Sequence, residues 1–310
     1  MTLHATIIKS EYNVSIMKIS QSDFPSEFLK ADISSRKAQK NYKGLNLGIL
    51  IALLGATIMV SINDQLVKTC QNWNQINGII LLLGAAGSTY LYFRKPEVKW
   101  YLGRAVAESI KSLSWKFMMK AEPFNSGNDP DDKALLFNRI HEIVEKSGEN
   151  GFDIDAPSSH DHTITQKMIE VRNSTFLERK DIYATHRVDD QIGWYKTTAI
   201  KNKIWGTCLV WLMILCQCIA AMYLIFWAKD FHTLNLTEVI IFIVTALIAI
   251  IEMNKYKELK ESYSYTHNEL IYIRNRFNTI NSEKELDEFV NDAELAISRE
   301  HTMWLARRGK

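Results

Sequence analysis

The sequence predicts an all-α, polytopic membrane protein with four transmembrane helices in two hairpins and a cytoplasmic helical bundle. Four apolar segments of the 310-residue chain are long enough to cross a bilayer as helices. Basic residues cluster on one side of these segments, which predicts a fixed orientation. No glycine or proline occurs between Thr207 and Arg308, so composition alone interrupts no helix there.

The first hairpin is predicted from residues 44–62 and 76–93, which are uncharged over 19 and 18 positions. Both segments contain closely spaced small residues, which allow two helix backbones to approach each other in lipid. Contact within the hairpin and contact between protomers both fit this pattern. The predicted packing residues are Gly48, Ala52, Gly55, Gly84, Gly87 and Ser88.

The second hairpin is predicted from residues 204–228, with 25 uncharged positions, and from residues 236–253. Past the last span, apolar positions recur at alternating intervals of three and four, the spacing of a coiled-coil seam. A continuous helix over 236–280 would be roughly 65 Å long at 1.5 Å per residue. We expect this seam to pack on the helix at 102–117 or on a neighbouring protomer; it contains Tyr256, Leu259, Tyr263, Thr266, Leu270, Ile273, Phe277 and Ile280.

Basic residues predict the orientation. Residues 30–43 and 94–111 each contain five Lys or Arg, whereas the predicted hairpin loops at 63–75 and 229–237 contain one each. Positive charge is retained on the cytoplasmic side, so both termini of this multi-pass protein are expected there. The first apolar segment lies too late for a secretory signal.

The same order of elements occurs twice: a basic helix, a hairpin and an amphipathic helix that leaves the membrane. This repeat predicts two units in tandem. We divide the chain into an N-terminal arm (1–23), a first two-span unit (24–124), a linker (125–162) and a second two-span unit (163–310). The linker boundaries rest on its turn-forming residues.

The residue types expected of an enzyme do not assemble into a recognisable pattern. His160 and His162 lack a third nearby metal ligand, and His141-Glu142 lacks the second histidine of a metalloprotease helix. We therefore expect no enzyme, no metal and no cofactor. The net charge of +2 gives no electrostatic case for nucleic acid.

A channel would instead use uncharged polar side chains in the spans. They could line water or form ordinary hydrogen bonds between helices, and both alternatives stay open. The predicted pore-lining residues are Thr57, Ser61, Ser88, Thr89, Thr207, Gln217 and Thr245. No charged ring lies deep in the spans, which favours a weakly selective opening.

Several stretches resemble a known family: WYLGRAVAESIKSLSW, YATHRVDDQIGWYKTTAIKNK, SYSYTHNELIYIRNRF and FVNDAELAISREHTMW. They are similar to the bacterial SLATT domains, the SMODS- and SLOG-associating two-transmembrane effectors, with two such units in tandem. The most specific positions are Gln191, Trp194, Tyr195, Glu300, His301 and Trp304.

The resemblance implies a membrane effector of an anti-phage or conflict system. Such an effector would act in the lipid bilayer as a homo-oligomer that forms a pore or depolarises the membrane, causing dormancy or death. Its trigger would be a nucleotide second messenger or a separately encoded sensor protein. The alternative is a membrane-anchored helical scaffold that docks a partner protein without conducting.

Overall fold

The computed structural model describes residues 19–61, 72–152, 163–226 and 236–308, with side chains described as far as residue 299. These residues form ten α-helices, a π-helical segment and two short 3-10 helices, joined by turns, and none of them lies in a β-strand. The ten α-helices are α1 (Ser26–Ser61), α2 (Trp73–Arg94), α3 (Pro96–Met118), α4 (Asp129–Glu149), α5 (Gln166–Arg172), α6 (Phe176–Tyr183), α7 (Asp190–Phe226), α8 (Leu236–Asn254), α9 (Tyr256–Asn275) and α10 (Glu283–Arg308). A π-helical segment, Ala184–Asp189, joins α6 to α7.

Four helical stretches in the described residues are long and apolar enough to cross a membrane. They contain α1, α2, α7 and α8, as the sequence predicts, and their apolar segments are almost entirely unburied within the chain. Leu82 in α2 is 70% exposed and Ile225 in α7 is 72% exposed. Such surfaces are stable in contact with lipid, so the chain is an all-α, polytopic membrane protein.

The first helix of each unit runs without interruption from charged sequence into the apolar span. α1 has 36 residues and α7 has 37. At 1.5 Å per residue, each is about 55 Å long. These two helices connect the spans directly to the charged bundle, which we define as α3–α6, α9, α10 and the polar N-terminal halves of α1 and α7.

The prediction of a continuous helix over 236–280 was wrong, because Lys255 separates α8 from α9 in a left-handed conformation (φ 51°). The Lys255 N–H still donates to the Ile251 carbonyl and its own carbonyl accepts from Leu259 N–H, both at 3.0 Å. The helix therefore changes direction without losing these hydrogen bonds. The new direction lays α9 along α7, where Gly206 allows close approach: a Cβ there would lie 3.0 Å from Tyr256 Cβ.

The first unit repeats this break at Lys95, also left-handed (φ 42°). Pro96 then occupies the first turn of α3, where its missing N–H costs nothing. In each unit a long helix, a second span, a kinked departing helix and a further helix follow in the same order. The second unit is thus a structural repeat of the first.

The charged bundle has one apolar core, to which both units contribute. Trp115, Tyr183 and Phe289 meet there edge to face, with ring centroids 5.6 Å and 6.0 Å apart in successive pairs. α4 lies within the predicted linker and packs on α3, so residues 129–149 are part of this bundle. Arg172 fixes the start of α4: it is buried, pairs with Asp132 and lies 2.9 Å from Asp129.

Candidate functional site

Two of the six predicted packing residues lie in the contact between α1 and α2. A Cβ at Gly87 would lie 3.0 Å from Ile49 Cγ1, and one at Gly84 would lie 3.7 Å from Leu53 Cδ2. Gly48 and Gly55 have no such neighbour within 4 Å, Ala52 is half-buried and Ser88 is exposed. The hairpin accounts for Gly84 and Gly87, while a role of the others between protomers stays a prediction.

The predicted pore-lining hydroxyls mostly bond within their own helices. Thr57, Ser88, Thr89 and Thr245 each donate to the carbonyl four residues earlier, at 2.9–3.1 Å. Ser88, Thr89, Thr207, Gln217 and Thr245 lie on exposed faces of three different helices. One chain therefore does not bring the seven residues together, and pore lining stays a prediction that depends on assembly.

Ser61 is the exception, because it lies where the two hairpins meet. Its Oγ is 3.2 Å from Glu238 Oε2 and 2.8 Å from the Thr57 carbonyl. Ser61 is buried although it ends a membrane span. The α1–α8 contact thus contains a polar bond between the first span of one unit and the second span of the other.

The predicted seam faces inward along its whole length. Tyr263, Thr266, Leu270, Ile273 and Ile280 are buried, and Tyr256, Leu259 and Phe277 are half-buried. Its partners are α7 and α10 of the same unit. The predicted partner within the chain, the helix at 102–117, was wrong, because the kink at Lys255 turns α9 back onto its own unit. Contact of the seam with a neighbouring protomer stays a prediction.

A charged group buried in the bundle is the junction of Arg187, Glu294, Glu108 and Tyr183. Arg187, in the π-helical segment, donates from Nε and Nη2 to both carboxylate oxygens of Glu294 at 2.8 and 2.7 Å. Its Nη2 also reaches Glu108 of α3 at 2.7 Å, and the Tyr183 hydroxyl lies 3.0 Å from Glu294. Arg187, Glu294 and Tyr183 are almost fully buried. The junction therefore ties α10 to the first unit through one guanidinium.

Burial and charge act in opposite directions at this junction. Burial lowers the pKa of Arg187, but the carboxylates of Glu294 and Glu108 outweigh it and raise that pKa well above its usual value. Burial, and then the Glu294 charge, raise the pKa of Tyr183. Nearby, burial and the Arg187 charge lower the pKa of Lys111. Arg187 thus stays charged and Tyr183 neutral at physiological pH.

A cavity of about 410 Å³ opens beside this junction, between the two units. Its lining includes the resemblance residues Gln191, Trp194 and Tyr195, together with Arg104 and Lys111. The Arg104 guanidinium lies over the Trp194 ring, 5.6 Å from its centroid. Trp194 and Tyr195 also contact the Tyr263 ring of the seam. The motif before the third span therefore positions α7 between α3 and α9.

Other predicted residues lie where less can be said of them. Glu300, His301 and Trp304 belong to α10, but side chains are described only as far as residue 299. His160 and His162 lie outside the described residues. In the described parts of the chain, no three His, Cys, Asp or Glu side chains cluster as metal ligands would.

The sequence reasoning missed the buried junction and the Arg172 cluster. In the sequence YATHRVDD, Arg187 stands among other polar and charged residues, so no local pattern marked it as buried.

Four spans in two repeated hairpins, joined to a common charged bundle, define a polytopic membrane protein built from two two-span units. Comparison with protein families identifies both units. Residues 25–180 match the SMODS and SLOG-associating 2TM effector domain 3, and residues 183–304 match the SMODS and SLOG-associating 2TM effector domain 1. The chain belongs to this SLATT family, with two domains in tandem, and is a membrane effector. Comparison with curated proteins and with solved structures gives no match.

The matched ranges meet between residues 180 and 183, so the first match includes α4 and the segment predicted as a linker. The domain boundaries given from sequence remain a prediction.

Proposed function

We propose that this protein is an anti-phage effector that oligomerises in the bacterial inner membrane and, when triggered, opens a path that depolarises it. Loss of the membrane potential would then cause dormancy or death of the cell. The trigger would act on the charged bundle, which we place in the cytoplasm with both termini. It would be a nucleotide second messenger or a separately encoded sensor protein.

The observation that carries this proposal is the direct mechanical connection between the bundle and the spans. α1 and α7 pass without a break from the bundle into the apolar region. The Arg187 junction joins the π-helical segment immediately before α7 to α3 and α10. A displacement of α10 would therefore be transmitted to α7 and to its span.

Four spans also exceed what anchoring requires. A scaffold needs one or two helices to stay at the membrane, whereas here both units keep a complete hairpin with outward apolar faces. Polar side chains such as Gln217 and Thr207 lie exposed in the apolar part of α7. Polar groups in lipid are costly and usually face another helix or water. This placement favours assembly around a hydrated path.

The test is to express the full chain in bacteria and to follow a potential-sensitive dye together with a small impermeant dye. We expect the potential to fall at high expression or on phage challenge, while entry of the second dye would set a minimum width. A correctly inserted protein that leaves the potential unchanged under both conditions would contradict the proposal. That result would favour the scaffold.

A further inference from the structure

The two hairpins of one chain contact each other through unlike helices. α1, the first span of the first unit, packs against α8, the second span of the second unit. The Ser61–Glu238 bond lies in this contact. Among the described residues, the reverse pair, α7 with α2, makes no extended contact. Each hairpin therefore has one span that packs against the other hairpin and one span that does not.

The second spans of the two units can be compared position by position, because Lys95 and Lys255 mark the same kink. With these lysines aligned, the faces that pack inside each hairpin coincide: Ile80, Gly84, Gly87 and Leu91 match Ile240, Val244, Leu247 and Ile251, all buried or half-buried. The adjacent face of α8, at residues 239, 242, 243, 246 and 250, is also buried or half-buried.

The corresponding face of α2 is exposed. Val239 is 9% exposed, whereas its counterpart Ile79 is 57% exposed. We call this face the α2 stripe; it consists of Ile79, Leu82, Leu83, Ala86 and Tyr90, all exposed. α2 thus leaves exposed the face that is covered on α8.

The first spans show the complementary difference. When Ala56 is aligned with Ala220, most of the inward faces coincide: residues 45, 49, 52, 56 and 59 of α1 and residues 209, 213, 216, 220 and 223 of α7 are all buried or half-buried. Leu53 is half-buried, whereas its counterpart Gln217 is exposed. Next to this face, α1 is buried or half-buried at Leu50, Leu54, Thr57 and Ser61. The counterparts in α7 are all exposed, and we call them the α7 stripe: Ile214, Cys218, Ala221 and Ile225.

We propose that copies of this chain associate head to tail in the membrane, with the α7 stripe of one copy packed on the α2 stripe of the next. The contact repeats between copies the α1–α8 contact that exists within each chain. Since unlike faces meet, the arrangement is heterologous and forms a ring when its rotation closes. The inference specifies the assembly invoked in the proposed function and rests on it.

The contact between copies differs from the internal one in its chemistry. Gly78 takes the position of Glu238, and Ile225 takes that of Ser61, so the hydrogen bond has no counterpart. A Cβ at Gly78 would meet no atom within 4 Å, and Ile225 is 72% exposed, so a small residue faces a large one. Packing alone holds such a contact in lipid. The contact between copies therefore lacks the polar bond of the internal one.

The test uses single cysteines at these two counterparts. Cys70, Cys208, Cys216 and Cys218 are first replaced by alanine. I225C and G78C are then made in separate, differently tagged chains, co-expressed, and cross-linked in membranes with a short bifunctional thiol reagent. S61C/E238C in one chain reports the internal contact under the same conditions. We expect a product containing one chain of each tag, none from either variant alone, and a ladder of multiples from I225C/G78C in one chain.

F226C co-expressed with G78C is the matched control, because Phe226 lies at nearly the same depth on another side of α7 and is also exposed. It should give little product. Equal cross-linking of the control, or cross-linking of I225C with itself, would overturn the head-to-tail contact. So would absence of the mixed product while S61C/E238C cross-links.

The membrane potential of the same cells separates this inference from the proposed function. Depolarisation without the mixed product refutes the proposed interface and leaves the proposed function standing. The mixed product with an unchanged potential on phage challenge supports the interface and contradicts conduction.

Discussion

The buried junction around Arg187 makes a quantitative prediction about Glu294. Glu294→Gln keeps the size of the side chain but removes the charge that faces both Nε and Nη2 of Arg187. Arg187 is inaccessible to solvent, so water cannot replace the lost carboxylate. Removing one partner of a buried ion pair typically costs about 3–5 kcal/mol. Glu108 remains as a partner of Arg187, which places the expected loss near the lower end, at about 3 kcal/mol.

The matched control is Asp292→Asn, which removes the pairing of Asp292 with Arg276. Both side chains of that pair are nearly half exposed. Exposed pairs contribute about 0–1 kcal/mol, so this change should be almost silent. The two substitutions make the same chemical replacement in the same helix, and they differ mainly in burial.

The assay is thermal unfolding of the purified proteins in detergent. A loss of 3 kcal/mol corresponds to a decrease in Tm on the order of 6–12 °C for a domain of moderate size. Glu294→Gln should show a decrease of this order and Asp292→Asn almost none. Equal Tm values for the two variants would refute the argument that the junction holds α10 on the first unit.

Three further predictions concern packing, charge and backbone. Gly87→Leu should destabilise the first hairpin, because Ile49 Cγ1 already lies 3.0 Å from the position of a Cβ at Gly87. Gly48→Leu is the control, because a Cβ there meets no atom within 4 Å. The yield of folded protein from membranes is measured for both variants, and equal yields would contradict the close approach at Gly87. The Arg172 hydrogen bond lowers the pKa of Asp129 below its usual 3.8, so the stability that it adds is present above that pH and is lost as the pH falls through the lowered value. Asp129→Asn should therefore lower the free energy of unfolding at pH 7 by less than about 1 kcal/mol, because the Asp129 side chain is 43% exposed although Arg172 is buried, and Tm should decrease slightly. The difference should vanish in acid; a constant difference would contradict the assignment. Lys255→Gly should be neutral or stabilising, because an L-residue in the left-handed region costs about 1–2 kcal/mol that glycine avoids. A Tm of Lys255→Gly below that of Lys255→Ala would contradict this argument, since both variants lack the lysine side chain and only alanine keeps the left-handed cost.

The membrane spans and the seam could be predicted because both are properties of local pattern. An uncharged run of about 20 residues predicts a span whatever the rest of the chain does. Alternating intervals of three and four place Tyr263, Leu270 and Ile273 on one side of a helix, and that side is the buried one. Periodicity gives no information on the partner, and the partner predicted within the chain, the helix at 102–117, was accordingly wrong.

The kink at Lys255 could not be predicted, since neither glycine nor proline marks it. It depends on the fit of α9 along α7 and on the space left by Gly206. The start of α4 did carry signals, with Asn128 before the helix and Pro130 in its first turn. These residues also fit a turn, and only the burial of Asp132 against Arg172 distinguishes the two alternatives.

The buried junction lay outside the reach of sequence reasoning for a similar reason. Glu108, Arg187 and Glu294 belong to three helical elements that are far apart in the chain. Nothing local separates them from the many charged residues on exposed helix faces. The repeat was visible as a pattern of hydropathy, but the bare stripes on α2 and α7 emerged only from comparing burial at equivalent positions.

The most direct test of the central claim is ion flux through the purified full-length protein in liposomes, measured at increasing ratios of protein to lipid. The account predicts a conductance that increases more steeply than in proportion to protein density, because several copies must assemble to open a path. Fully inserted protein that conducts at no density, or whose conductance increases only in proportion to density, would contradict a pore formed by assembly.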